Sequence, residues 1–199
     1  MKHTQIKLSG IMLLALVLRL IAIESRGLEY DDTFSFFLAG QPFGRIIAGT
    51  AADTMPPLYY FLLHLWINIG RQVWVLRLLN VLLSLGILVL IYQLTKRLFG
   101  EESGLWAAFF TAISPLQIFH AQGMRMYILL TLTLLGYLWF FTLLWLNREA
   151  EKSRCWGGLI ICGALAMYSH NVAIFTLVAP TVFLALKRER RLLLISWTV

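Results

Sequence analysis

The sequence predicts an all-α fold, a polytopic bundle of about six or seven transmembrane helices with interfacial helices in the first outer loop. The chain of 199 residues is 59% hydrophobic and 14% charged. Soluble domains, by comparison, are about 45–50% apolar and about 25% charged. The charged residues also form short clusters between long apolar runs. Lipid must therefore be the solvent for most of the outer surface.

A helix needs about 20 apolar residues to cross the hydrocarbon core. The first run follows Lys2 and Lys7 and lacks a small-residue cleavage site, so we expect an uncleaved span rather than a signal peptide. The expected spans are residues 6–23, 73–94, 103–119, 126–146, 155–169 and 172–186, with another beginning at Leu192. They predict one membrane-embedded module over residues 1–199, truncated at its C-terminal end.

The apolar stretch at residues 57–69 is too short to span and suits an interfacial or re-entrant helix. If it does not cross, the basic clusters at 96–97, 148–154 and 187–191 all lie on the cytoplasmic side with the N-terminus, as membrane topology favours. If it did cross, these clusters would move outside. The net charge of +7 is thereby explained by the loops, and no nucleic acid partner is expected.

This topology places half of the acids in the first outer loop. Asp31 and Asp32 precede an aromatic run that predicts a short amphipathic helix in the interface, capped by Asp32 or Thr33. The pair is either a helix cap or a functional pair, because neighbouring carboxylates can have separated pKa values with one of them poised as a base.

Three later outer segments carry polar residues. His64 follows the prolines of residues 53–60 and is predicted to be packed rather than catalytic. Arg125 either snorkels to the interface or binds phosphate, for which a planar guanidinium is well suited. His170, between two spans, is either a turn residue or a site residue. Cys155 and Cys162 lie two turns apart on one helix face without metal-like neighbours, so we expect them to pack.

These segments, in this order, resemble the glycosyltransferase family 39-like membrane enzymes of the GT-C fold, which include dolichyl-phosphate-mannose-protein mannosyltransferases and bacterial lipid A sugar transferases. The matching motifs are the acidic pair at 31–32, Asp-Thr-Met-Pro-Pro-Leu-Tyr-Tyr at 53–60, Arg-Leu at 77–78, Arg-Leu-Phe-Gly at 97–100, Ser-Pro at 114–115, Gln-Gly-Met-Arg-Met-Tyr at 122–127 and Tyr-Ser-His-Asn at 168–171. The chain departs from the family pattern at Asp32 and Gly123, where the family has Glu, and at Met55, where it has His.

The resemblance implies a hexosyltransferase that moves a sugar from a polyprenyl-phosphate carrier to a glycan, lipid or protein acceptor. The site would face the extracytoplasmic side of the plasma membrane. Asp31 would be the catalytic base and Asp32 would position substrate. The residues implied to bind substrate are Asp53, Arg77, Arg125, Tyr127 and His170. We expect no nucleotide cofactor, and the sequence names no metal site.

Two other functions are consistent with a polytopic membrane chain: a transporter subunit, and a catalytically inactive relative that binds lipid carriers. Transporters place charged residues near the bilayer midplane and often contain internal repeats. Here the acids cluster in an outer loop and no convincing repeat is found. The pattern therefore favours the enzyme.

Overall fold

The computed structural model of the chain describes residues 2–25, 27–146 and 152–187. These described residues form helices joined by turns and short loops, without strands. The helices are α1 (Lys2–Leu20), α2 (Tyr30–Ala39), α3 (Phe43–Ala52), α4 (Leu58–Trp66), α5 (Val73–Phe99), α6 (Glu101–Ile113), α7 (Pro115–Ala121), α8 (Tyr127–Leu146), α9 (Lys152–Ser169) and α10 (Ala173–Leu186). The predicted all-α class is confirmed.

Within the described residues, α1, α5 and α8 contain stretches long and apolar enough to cross a membrane: His3–Leu20, Val73–Phe99 and Tyr127–Leu146. The chain is therefore an integral membrane protein. The expected runs at 155–169 and 172–186 lie within α9 and α10, and α10 is a shorter apolar helix of 14 residues. The total of six or seven spans stays a prediction, since the run beginning at Leu192 lies outside the described residues.

The segment expected to span at residues 103–119 is not one continuous helix, because the helix breaks at Ser114. Ser114 has an extended backbone, with φ −61° and ψ 119°, and separates α6 from α7. Pro115 lacks an N–H, so the carbonyl of Thr111 four residues earlier loses its helical partner. Arg19, fully buried at the end of α1, fills this gap by donating to the carbonyl oxygens of Thr111 at 3.4 Å and Ala112 at 3.0 Å.

Helices α8 and α9 approach closely where small residues face each other. A Cβ added at Gly136 would lie 2.9 Å from Sγ of Cys162, so a larger residue there would require the Cys162 side chain to shift. Glycine allows helix backbones to pack tightly inside a membrane. Cys155 and Cys162 are half-buried free thiols, and Cys162 packs against Gly136.

Three short helices, α2, α3 and α4, connect α1 to α5. Helix α4 has nine residues, so it is about 13 Å long and cannot cross a core of about 30 Å. The short, non-spanning helix predicted within residues 57–69 is therefore confirmed. Its Tyr59 and Leu63 are buried in one cluster with Ala39 of α2 and Leu76 of α5, which fixes α2 and α4 to the long span.

The predicted capping of α2 by Asp32 or Thr33 is wrong. The helix begins at Tyr30 with Glu29 as its N-cap residue, and no side chain caps it. Asp31 and Asp32 lie inside the first turn, where the positive end of the helix dipole stabilises their negative charge. Their carboxylates are consequently available for contacts with other elements.

Candidate active site

The first turns of α5 carry two buried polar side chains, Arg77 and Asn80, into the interior beneath α2 and the α7–α8 connection. They are three residues apart, and residues at this spacing share one face of a helix. Both are fully buried. Polar groups in a spanning helix are costly unless they are paired, so their partners define the site.

Asp32 is committed to two internal partners. Arg77 Nη2 lies 3.4 Å from Asp32 Oδ2, and the backbone N–H of Met124 donates to Asp32 Oδ1 at 2.9 Å. Arg77 also donates to the carbonyl oxygens of Ile23 at 2.6 Å and Gly27 at 3.1 Å. Asp32 and Arg77 thus join α2, α5, the end of the first span and the α7–α8 connection.

Asp31, the neighbouring carboxylate, faces outward. Its Oδ2 lies 3.5 Å from Arg125 Nε, and its side chain is 52% exposed, against 14% for Arg125. Arg125 Nη1 also lies 3.5 Å from the hydroxyl oxygen of Tyr60. Burial raises the pKa of Tyr60, so the phenol stays neutral at physiological pH. This arrangement presents an accessible carboxylate next to a half-buried cation, the combination that a base and an anion-binding group require.

Asn80 fixes the backbone that carries Arg125. Its Nδ2 donates to the carbonyl oxygens of Gly123 at 2.8 Å and Arg125 at 2.9 Å. Asn80 belongs to none of the sequence motifs described above, although a polar amide inside an apolar span is itself a signal of a functional or structural role.

The rings of His120, Tyr127 and His170 form a row next to this group. Tyr127 lies between the two imidazoles, with ring centroids 4.9 Å from His120 and 6.0 Å from His170. The N–H of Val172 donates to Nδ1 of His170 at 3.1 Å, so a neutral ring carries its proton on Nε2. Tyr127 and His170, far apart in sequence, are thus neighbours, and His120 is an additional member of the row.

The turn between α3 and α4 is held against the loop that follows α9. Thr54 has φ 55°, an unfavourable value for a β-branched residue, and its carbonyl oxygen accepts a hydrogen bond from Asn171 Nδ2 at 2.7 Å. Asp53 precedes it as the exposed C-cap residue of α3, and its charge is one of the secondary contributions, after burial, to the raised pKa of Tyr60. The four polar segments singled out in the sequence are therefore close together.

His64 lies apart from this group. It is half-buried, its ring is 4.7 Å from that of Phe43, and its Nδ1 is 2.7 Å from the carbonyl oxygen of Ala39, to which it donates. These contacts confirm the predicted packing role.

Met55 packs against the apolar cluster of α4 and α5, and a Cβ at Gly123 would lie 3.7 Å from Asp32 Oδ1. A longer acidic side chain at position 123 would begin beside the Asp32 carboxylate.

Comparison with known proteins identifies the family. The family model described as dolichyl-phosphate-mannose-protein mannosyltransferase matches residues 54–199, most of the chain. Neither a search of curated proteins nor a search of solved structures found a match. The matched region contains Arg77, Arg125, Tyr127 and His170. It begins after Asp31 and Asp32, which are placed in the candidate site by their contacts with Arg125 and Arg77. The chain belongs to the dolichyl-phosphate-mannose-protein mannosyltransferase family of GT-C membrane glycosyltransferases, which use lipid-linked sugar donors.

Proposed function

We propose that the chain transfers a hexose from a polyprenyl-phosphate donor to a hydroxyl group of a glycan, lipid or protein acceptor. The reaction takes place on the extracytoplasmic side of the plasma membrane. The observation that carries the proposal is the pairing of half-exposed Asp31 with Arg125 at 3.5 Å, in a chain of this family. The rival transporter function has no comparable support, because the charged residues of the site cluster in the loops and at the ends of helices.

In the proposed reaction, Asp31 accepts the proton of the acceptor hydroxyl while that oxygen attacks the anomeric carbon of the sugar. The bond between the anomeric carbon and the phosphate oxygen breaks, and the polyprenyl phosphate leaves with the electron pair. Arg125 offsets the charge that grows on the leaving phosphate, which a planar guanidinium can contact through two N–H groups. The donor itself supplies the activated sugar, so no nucleotide cofactor is required.

The buried pair of Asp32 and Arg77 supports Asp31 and Arg125 from the interior of the protein. Arg77 is fully buried and donates to Asp32 and to two backbone carbonyls, which favours a holding role over direct phosphate contact. Asp32 is likewise occupied on both carboxylate oxygens. Tyr127, His170 and Asp53 border the same surface and are assigned to sugar or acceptor binding, because aromatic faces and polar groups are suited to carbohydrate.

The test is incorporation of a radiolabelled sugar. Membranes containing the chain are incubated with labelled polyprenyl-phosphate mannose, and the lipid, glycan and protein fractions are separated. Label in one of these fractions, lost in Arg125→Ala, supports the proposal. Donor binding without transfer would instead support an inactive relative that binds lipid carriers. The absence of both binding and transfer, across donors that differ in sugar, would overturn the proposed function.

A further inference from the structure

The segment 122–126 connects α7 to α8. It is held by one side chain of α2, by one side chain of α5 and by its own first residue, Gln122. Gln122 Nε2 donates to the carbonyl oxygens of Arg19 at 3.1 Å and Ile21 at 2.8 Å, at the end of α1. Asp32 of α2 accepts from the N–H of Met124. Asn80 of α5 donates to the two carbonyls on either side of Met124.

We propose that Asn80 is the positioning residue for the phosphate-binding guanidinium of Arg125, an inference that rests on the proposed function. Both hydrogens of its single amide nitrogen are used, one on the carbonyl of Gly123 and the other on that of Arg125. The backbone that carries the guanidinium is thereby fixed to α5. The side chain then extends to Asp31 and to the hydroxyl of Tyr60.

The chemistry of the amide explains why this residue type suits the position. The buried carbonyl oxygen of Gly123 and the partly buried one of Arg125 need two donors, and leaving either unpaired costs free energy. Asparagine supplies both from one atom, whereas serine supplies one hydrogen, and aspartate, when ionised, supplies none. Asn80 also lies on a long helix, which holds a site more rigidly than a loop does.

Asn80→Leu keeps the approximate size of the side chain and removes both donors. Binding of undecaprenyl phosphate, which carries no sugar, is measured on the full chain in lipid nanodiscs. We expect the dissociation constant to rise roughly 10- to 100-fold, since small misplacements of binding groups have effects of this order. Asn80→Ser, which keeps one donor, should give an intermediate loss.

Ser84 provides the matched control. It is fully buried on the same helix, but among the described residues its hydroxyl donates only to the carbonyl of Val81 in that helix, at 2.6 Å. Ser84→Ala should therefore leave undecaprenyl phosphate binding unchanged. If it weakens binding as much as Asn80→Leu does, the effect belongs to α5 in general and the positioning role is excluded.

A double-mutant cycle separates positioning from general destabilisation. If Asn80 acts through Arg125, Asn80→Leu causes no further loss of binding in the Arg125→Ala background. An equal loss in both backgrounds overturns the inference. Unchanged binding in Asn80→Leu overturns it as well.

Amide hydrogen exchange at Met124 tests the same inference without a ligand. Exchange should be faster in Asn80→Leu and unaltered in Ser84→Ala, and equal rates in wild type and Asn80→Leu would overturn the positioning role. This readout also applies to Asn80→Ser if the leucine variant does not fold. If wild type fails to bind undecaprenyl phosphate, the proposed function fails, while the exchange result still decides whether Asn80 fixes the segment.

Discussion

Asp32 and Arg77 form an ion pair at 3.4 Å in which both side chains are almost completely buried, whereas the adjacent Asp31 is 52% exposed and pairs with Arg125. Two neighbouring carboxylates thus occupy different environments, one interior and one accessible. Removing one partner of a buried pair is costly, because the other charge is left without compensation. An exposed pair contributes little to stability. The two positions are therefore expected to separate stability from activity.

Asp32→Asn should lower the free energy of unfolding by roughly 3 kcal/mol, since Arg77 stays charged and buried without its carboxylate partner. Chemical unfolding of the purified protein in detergent measures the change. Asp31→Asn is the matched control, with an expected effect of about 0–1 kcal/mol. Equal stability of wild type and Asp32→Asn would mean that the backbone carbonyls of Ile23 and Gly27 are sufficient to compensate Arg77.

Arg125→Lys should weaken binding of undecaprenyl phosphate although the positive charge is kept. An ammonium is a point charge and does not reproduce the planar, two-pronged contact of a guanidinium with phosphate. Direct binding measurements in nanodiscs compare wild type, Arg125→Lys and Arg125→Ala. A snorkelling residue would tolerate lysine, so wild-type affinity in Arg125→Lys would rule out the phosphate role.

The predicted orientation can be tested with single cysteines in a background that lacks Cys155 and Cys162. Lys96→Cys should be protected from an impermeant thiol reagent in intact cells, and Asp53→Cys should react. The reason is that the basic end of α5 is expected in the cytoplasm and the first loop outside. Permeabilised cells provide the control for reactivity at position 96. Labelling of Lys96→Cys in intact cells would reverse the orientation of α5.

Much of this arrangement could be predicted because polar residues interrupt long apolar runs. The acidic pair and Arg125 stand out against their neighbours, and the basic clusters gave a topology in which they share one side. Their pairing could not be predicted in the same way. The contacts of Asp32 with Arg77 and with Met124 join residues 45 and 92 positions apart, and only the packing of the helices brings them together.

Two local features were also hidden in the sequence. Helix α3 contains Gly44 and Gly49, and glycine lowers helix propensity, so the pattern gave no clear helix. A Cβ at Gly49 would lie 2.6 Å from Leu38 Cδ1, so a larger residue there would require the Leu38 side chain to shift. Pro115 is a sequence signal for the break at Ser114, but the length of the apolar run at residues 103–119 favoured one continuous helix. Only the structure shows Arg19 satisfying the carbonyls that the break exposes.

The assignment of the base depends on Asp31. Asp31→Asn keeps the size of the side chain, and its exposure means that folding should be nearly unaffected. Sugar transfer should nevertheless fall by about 10²–10⁴-fold, the usual contribution of general-base catalysis. Transfer from labelled polyprenyl-phosphate mannose is measured at saturating donor, so that a change in donor affinity does not contribute.

Glu24→Gln is the control for Asp31→Asn, because Glu24 is another exposed carboxylate of the same loop and contacts neither Arg125 nor Arg77 in the described structure. It should transfer sugar at the wild-type rate. If Asp31→Asn is fully active while Asp32→Asn folds and is inactive, the roles of the two aspartates are reversed. If both variants are fully active, neither carboxylate is the base, and proton transfer must involve another group or none.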